Sequence, residues 1–239
     1  KFKNKKILNL NYSGKSIFIT GANSGIGLEL TRKFLGLNNK VFATYRNNSE
    51  NLDKIKNENL FLIKCDLKKL TDIENISKEI SGLPINLLVN SAGVFGPGEQ
   101  KLETLDFNDF QDTMMVNSFS GLKITQLILK EAKKNTLRMI VNISSDAGSM
   151  AKNNEGNAYI YRTSKSALNS ITKNMSVDLF NKYKITVFAI DPGNVKSGMN
   201  PKGMIETDVC ANLIINLITS YGKKLNGKFV DLLNKEIPW

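Results

Sequence analysis

The eight residues from Thr20 to Gly27, TGANSGIG, follow directly on the apolar run Ser16-Ile17-Phe18-Ile19. Three glycines and several small polar residues stand where an ordinary helix start needs only a cap. Such a turn lets another group come close to the backbone. Gly21 permits a tight turn, and Gly25 and Gly27 open the following helix to a pyrophosphate and to a neighbouring strand. The N–H groups and dipole at a helix start then favour negative charge. The spacing is G-x-x-x-G-x-G, and a glycine-rich turn alone is weak evidence, since many merely start a helix. Its place after a strand and before a helix gives it weight.

The rest of the chain supplies that context. Short apolar or β-branched runs recur at Ser16–Thr20, Lys40–Tyr45, Leu60–Cys65, Asn86–Asn90, Arg138–Ser144, Thr186–Asp191 and Lys228–Leu232. Most are continuously apolar, as strands buried on both faces are. Between them lie helical patterns at Gly25–Leu37, near Leu52, and at Thr71–Ile80, Phe107–Lys134, Ala158–Asn181 and Met204–Tyr221. This alternation predicts an α/β fold: a single-domain Rossmann-type, doubly wound parallel β-sheet of about seven strands with helices on both faces. Residues 1–12 read as a basic N-terminal extension and 13–239 as one domain, with no repeat or linker between.

Composition removes several classes of function. The chain of 239 residues has no histidine, which excludes a Ser-His-Asp triad and His-ligated zinc. Two distant cysteines, Cys65 and Cys210, form no pairing motif, and no metal site is expected. The start, Lys1 to Asn11, lacks the apolar segment of a signal peptide, and no run approaches the roughly 20 residues of a membrane span. A cytoplasmic protein is the expectation. The net charge of +11 comes from scattered lysines without interleaved aromatics, so no nucleic-acid partner is expected. An anionic small molecule is the simpler beneficiary of that field.

Further motifs follow in order. Asn90-Ser91-Ala92-Gly93 comes after the fourth strand, Asn117 sits in VNSFSG, and Ser144-Ser145 follows the fifth strand. Tyr161-x-x-x-Lys165 opens a helix, and Pro192-Gly193 follows the sixth strand. With TGANSGIG, this set resembles the short-chain dehydrogenase/reductase family over almost the whole chain. YRTSKSALN (161–169) and GKFVDLLNKEIPW (227–239) are most similar to its C-factor-like and Sniffer-like carbonyl reductase branch.

A tyrosine and a lysine at i and i+4 share a helix face, so Lys165 can bring its ammonium near the Tyr161 phenol. A positive neighbour favours the phenolate and makes Tyr161 a usable acid–base. Alone, the pair could equally be surface residues of an amphipathic helix. Tyr159 competes, but its i+4 partner is the uncharged Thr163. The resemblance implies Asn117, Ser145, Tyr161 and Lys165 as the catalytic set, with Ser145 rather than Ser144 on the substrate carbonyl. Asn117 would hold a water linking Lys165 to solvent, or would kink its helix.

The resemblance also implies a nicotinamide cofactor, held by Gly21, Asn23, Ser24, Gly25, Ile26 and Gly27 at the turn. Asp66 and Leu67 would meet the adenine. Asn90, Ser91, Ala92 and Gly93 would line its path, with Tyr161, Lys165, Pro192, Gly193, Val195 and Ser197 at the nicotinamide end. Strand two ends in Tyr45-Arg46, where an NAD enzyme carries an acidic residue. A guanidinium binds a 2′-phosphate by charge-assisted hydrogen bonds, so NADP (NADPH) is expected over NAD. Phe95, Met150 and Met199 are candidates for an apolar substrate pocket. A short stretch from Gly193 to Asp208 predicts a modest lid. The expected activity is NADP(H)-dependent reduction of an aldehyde, ketone or quinone by a homodimer or homotetramer. The alternatives are an NADP-binding sensor or signalling protein with little turnover and an NAD-dependent alcohol dehydrogenase.

Overall fold

The computed structural model describes residues 12–239; most of the expected basic extension lies outside them. Tyr12 already belongs to the folded body. Its ring lies 6.1 Å from that of Phe34, and its carbonyl accepts from Asn39 Nδ2 at 2.9 Å.

Seven strands form one parallel sheet: β1 (Ser16–Thr20), β2 (Lys40–Tyr45), β3 (Leu60–Lys64), β4 (Leu87–Asn90), β5 (Met139–Ile143), β6 (Thr186–Asp191) and β7 (Phe229–Asp231). Their spatial order is β3-β2-β1-β4-β5-β6-β7, parallel throughout. The order reverses between β1 and β4, which opens a crevice at the carboxyl ends of those strands.

The helices are α1 (Gly25–Gly36), the short α2 (Glu50–Asp53), α3 (Leu70–Ile80), α4 (Phe110–Met114), α5 (Ser120–Glu131), α6 (Tyr159–Tyr183) and α7 (Thr207–Asn216). Alternation along each strand decides what they cover. Ile17 and Ile19 of β1 face α1 and α7 and join Leu30, Phe34, Ala211 and Ile214 in one core. Phe18, between them, faces the opposite side and joins Ile73, Ile76, Ile124, Ile128 and Met175 from α3, α5 and α6. Each of these isoleucine, leucine, phenylalanine and methionine side chains contributes about 1.5–3 kcal/mol on burial. The two cores clamp the sheet and fix where its crevice opens.

Two expected helices are shorter and less regular than their apolar patterns. The stretch 107–134 resolves into α4, a π turn at Met115–Phe119, and α5. Polar side chains inside it bond sideways or backwards: Asn117 and Ser118 reach Ser164, and Ser120 Oγ donates to Val116 O at 2.9 Å. Such competition with the regular ladder accompanies local distortion, and single π turns recur at functional sites. The stretch 204–221 starts late as a helix because Val195 and Ile205 pair as an isolated bridge. It then ends in a second π turn, Leu217–Tyr221.

Candidate active site

A cleft of about 850 Å³ lies across the carboxyl ends of the central strands. Its upper wall is the glycine turn. Gly21 has φ +64, and a Cβ there would sit 2.7 Å from Ala92 Cα, so only glycine lets the two turns meet. Gly21 N–H donates to Thr44 Oγ1 at 3.2 Å, fastening the turn to β2. Thr20 Oγ1 accepts from the amides of Ser91 and Ala92 at 3.0 and 3.1 Å, which joins it to the loop after β4. The first-turn amides of α1 have no carbonyl partner within their helix. Asn23 is held by Nδ2 on Asn48 O at 2.9 Å, while its Oδ1 is buried with no partner.

The residues expected at this end, Asn23 to Gly27 and Arg46, all line the cleft, as do Asp66 and Leu67 from the end of β3. Asn47 and Asn48, which the sequence did not single out, line it beside Tyr45 and Arg46. Arg46 thus brings a cation to the β2 side of the wall, beside Tyr45, Asn47 and Asn48, with Asp66 at the end of the adjacent strand.

The opposite end holds the residues expected to do acid–base work. Tyr161 and Lys165 lie one turn apart on α6, with the Lys165 ammonium 5.8 Å from the centre of the phenol ring. Lys165 is 4% exposed, and its Nζ donates to Ile143 O at 3.0 Å. Burial lowers its pKa to about 8, an effect the Asp191 carboxylate partly opposes. Burial also raises the Tyr161 pKa above the usual phenol value; the Ser145 hydroxyl opposes this, and the carboxylates of Asp191 and Asp146 add to it. The expected lowering of the phenol by Lys165 is not found; desolvation dominates.

Ser145 caps the short turn Asp146–Gly148 by accepting from Ala147 N at 3.2 Å, and it faces the cleft beside Tyr161. Ser144 borders the cleft but is 2% exposed, and its hydroxyl is spent on Asn169 Oδ1 at 2.7 Å. Tyr159 is 41% exposed and does not line the cleft. Neither competitor offers the cleft a free hydroxyl.

Ser91, Ala92, Gly93, Phe95, Pro192, Gly193, Val195, Ser197 and Met199 also line the cleft. Three expected residues do not. Asn90 falls on the same strand face as Leu88, so its side chain enters the sheet–helix packing. There its Nδ2 donates to Asn142 Oδ1 at 2.8 Å and it lies against Gly121. Asn117 is 3% exposed behind the cleft, and its carboxamide bonds Val94 and Ser164; its Oδ1 and Lys165 Nζ would each lie 3.6 Å from a Cβ built on Gly93. Met150 is 74% exposed on the loop after the Asp146–Gly148 turn and lies outside the cleft. Asp191 is a residue that sequence reasoning missed. It is 8% exposed, its Oδ1 accepts from Gly193 N at 3.0 Å, and burial raises its pKa.

The cleft fits an elongated dinucleotide. It has a glycine turn and helix start at one end, an orphaned buried carboxamide oxygen on that turn, and a tyrosine–lysine pair at the other end. A group of at least three His, Cys, Asp or Glu placed to hold a metal is absent among the described residues. No helix among them is long and apolar enough to cross a membrane.

Comparison with known proteins agrees with this geometry. The C-signal protein of Myxococcus xanthus is 32% identical over 157 residues, covering 65% of this chain and 93% of that protein. The carbonyl reductase Sniffer of D. melanogaster superposes with a TM-score of 0.87 at 29% identity, covering 95% of this chain and all of that one. An NADPH-bound carbonyl reductase from chicken fatty liver superposes with a TM-score of 0.85 at 26% identity, covering 95% of each chain. The profile of the family described as short chain dehydrogenase matches residues 15–206. With its parallel sheet, glycine turn and tyrosine–lysine pair, this chain belongs to the short-chain dehydrogenase/reductase family of oxidoreductases.

Proposed function

We propose that this protein is an NADP(H)-dependent carbonyl reductase that converts an apolar aldehyde, ketone or quinone into its alcohol, with Tyr161 as the acid–base. The observation that carries the reading is the placement of Tyr161: a half-buried phenol one helical turn from a buried lysine, whose ammonium lies 5.8 Å from the ring centre, in a dinucleotide-sized cleft. A protein that only binds nucleotide has no use for that pair.

Gly21 to Gly27 would hold the pyrophosphate, Arg46 the 2′-phosphate, and Asp66 and Leu67 the adenine. Ser91 to Gly93, Pro192, Gly193, Val195 and Ser197 would contain the nicotinamide end. The reduced cofactor, when bound, supplies the hydride. The protein's own contribution is placement and charge. Ser145 Oγ–H and Tyr161 Oη–H meet the carbonyl oxygen where negative charge develops. Tyr161 Oη gives up its proton, and the Lys165 ammonium stabilises the phenolate left behind. Asn117 acts from behind by fixing the loop after β4. Phe95 and Met199, 40% and 48% exposed at the cleft, favour an apolar substrate.

The absence of a carboxylate on the Tyr45–Asn48 stretch, with Arg46 in its place, supports NADP over NAD. Apolar residues exposed on α5 and α6, among them Leu122, Val177 and Phe180, support a homo-oligomer built through those helices. Parallel titrations with NADPH and NADH test the cofactor: tighter NADPH binding is expected, and equal or tighter NADH binding would refute it.

A further inference from the structure

The helix that carries Tyr161 starts without a local cap. Gly156, Asn157 and Ala158 adopt φ values of +67, +55 and +49 in succession, a left-handed turn that costs an alanine dearly. Ala158, at the N-cap position, has no side-chain oxygen for the first amides of α6. The amide of Tyr161 finds its acceptor 61 residues away, in Gln100 Oε1 at 2.9 Å.

The other half of that carboxamide is also committed. Gln100 Nε2 donates to Phe95 O at 2.7 Å and to Pro97 O at 3.1 Å, and the residue is 4% exposed. Phe95 returns to the same tyrosine by its side chain, with ring centroids 5.0 Å apart and planes tilted by 31°. Gly96, between these contacts, has φ +94, and a Cβ there would sit 2.9 Å from Thr113 Oγ1 and 3.3 Å from Gln100 Nε2. One buried side chain therefore ties the backbone of Tyr161 to the loop whose aromatic ring lies against it.

We propose that Gln100 is a positioning residue that fixes Tyr161 and Phe95 relative to each other, so that the proton donor and the apolar wall of the substrate site are set by one carboxamide. The proposal rests on the reading of Tyr161 as the acid–base. Gln100 touches neither reacting atoms nor cofactor in this role; it acts through Tyr161 N–H and Phe95 C=O. A glutamine that merely stabilised a loop would affect melting temperature alone.

Two variants separate these roles, with kinetics normalised to the NADPH-binding fraction. Gln100→Glu keeps an acceptor for Tyr161 N–H but replaces the donor to the loop with a carboxylate oxygen that repels the carbonyls of Phe95 and Pro97. It is expected to raise KM for an apolar carbonyl about tenfold while kcat changes by no more than about threefold. Gln100→Met loses both ends and is expected to lower kcat about tenfold or more as well, because a small displacement of the acid is costly. NADPH affinity is expected to stay the same in both. Unchanged KM and kcat in folded variants, with only a lower melting temperature, would overturn the proposal. If Gln100→Met does not fold, Gln100→Glu decides alone; failure of both to fold would also overturn it, in favour of a scaffold role. A wild-type protein that turns over no carbonyl would refute the reductase reading and this proposal together, whereas wild-type turnover with unaltered variants refutes only the latter.

Discussion

Asn117 and Val94 are joined by a closed pair of hydrogen bonds. Val94 N–H donates to Asn117 Oδ1, and Asn117 Nδ2 donates to Val94 O, each at 2.8 Å. Nδ2 also donates to Ser164 Oγ at 2.8 Å, so one carboxamide binds the loop after β4, the π turn and α6. The residue expected to serve a proton path is, in its side chain, the bolt that holds the site's three walls.

Asn117→Ala leaves the partly buried amide and carbonyl of Val94 without these partners. Destabilisation of about 2–4 kcal/mol is expected, from several lost bonds at roughly 1 kcal/mol each plus the cost of burying unpaired groups. Urea denaturation of the two proteins checks it. A change below about 0.5 kcal/mol would mean that the pair contributes little.

Arg46 gives a prediction about cofactor choice. Arg46→Ala removes the cation facing the expected 2′-phosphate, and NADPH affinity is expected to fall about tenfold at this exposed position while NADH affinity holds. Titration of both nucleotides reads the ratio. An equal loss for both would assign Arg46 to some other part of the cofactor.

Lys165 makes stability depend on pH in a defined window. Its pKa falls from the ordinary 10.5 to about 8 on folding. Between those values the unfolded chain holds the proton and the native protein has released it, so native stability rises as pH rises from about 8 to 10.5. Lys165→Met lacks this dependence. Wild-type stability relative to the variant is expected to climb by up to about 3 kcal/mol across the window, at about 1.4 kcal/mol for each pH unit separating the folded and unfolded values. Denaturation curves at stepped pH test it, and a flat difference would place the ammonium in contact with solvent.

Much of this was legible from short-range pattern. Continuous apolar runs marked the strands because a parallel sheet covered on both faces leaves no polar positions to interrupt them. The spacing of Tyr161 and Lys165 revealed a shared helix face because four residues make about one turn. Side-chain direction at the edges of motifs was not legible. Asn90 adjoins the cleft in sequence yet points into the packing, since strand residues alternate. Met150 lies near the site along the chain, but an irregular loop carries it out to solvent. The π turn at Met115–Phe119 was hidden because apolar periodicity does not distinguish i+5 from i+4 bonding within one turn. Gln100 could not be found at all: its partner lies 61 residues away, and nothing near it in sequence points there.

The most direct test of the reductase reading is NADPH oxidation by wild-type protein and by Tyr161→Phe, against a panel of apolar aldehydes, ketones and quinones. Cofactor binding is titrated on the same samples. Wild-type turnover is predicted on at least one carbonyl. In Tyr161→Phe a loss of about 10²–10⁴-fold is predicted with NADPH binding intact, the scale of a missing general acid. Undiminished turnover in Tyr161→Phe, or tight NADPH binding by a wild-type protein that reduces nothing, would contradict it.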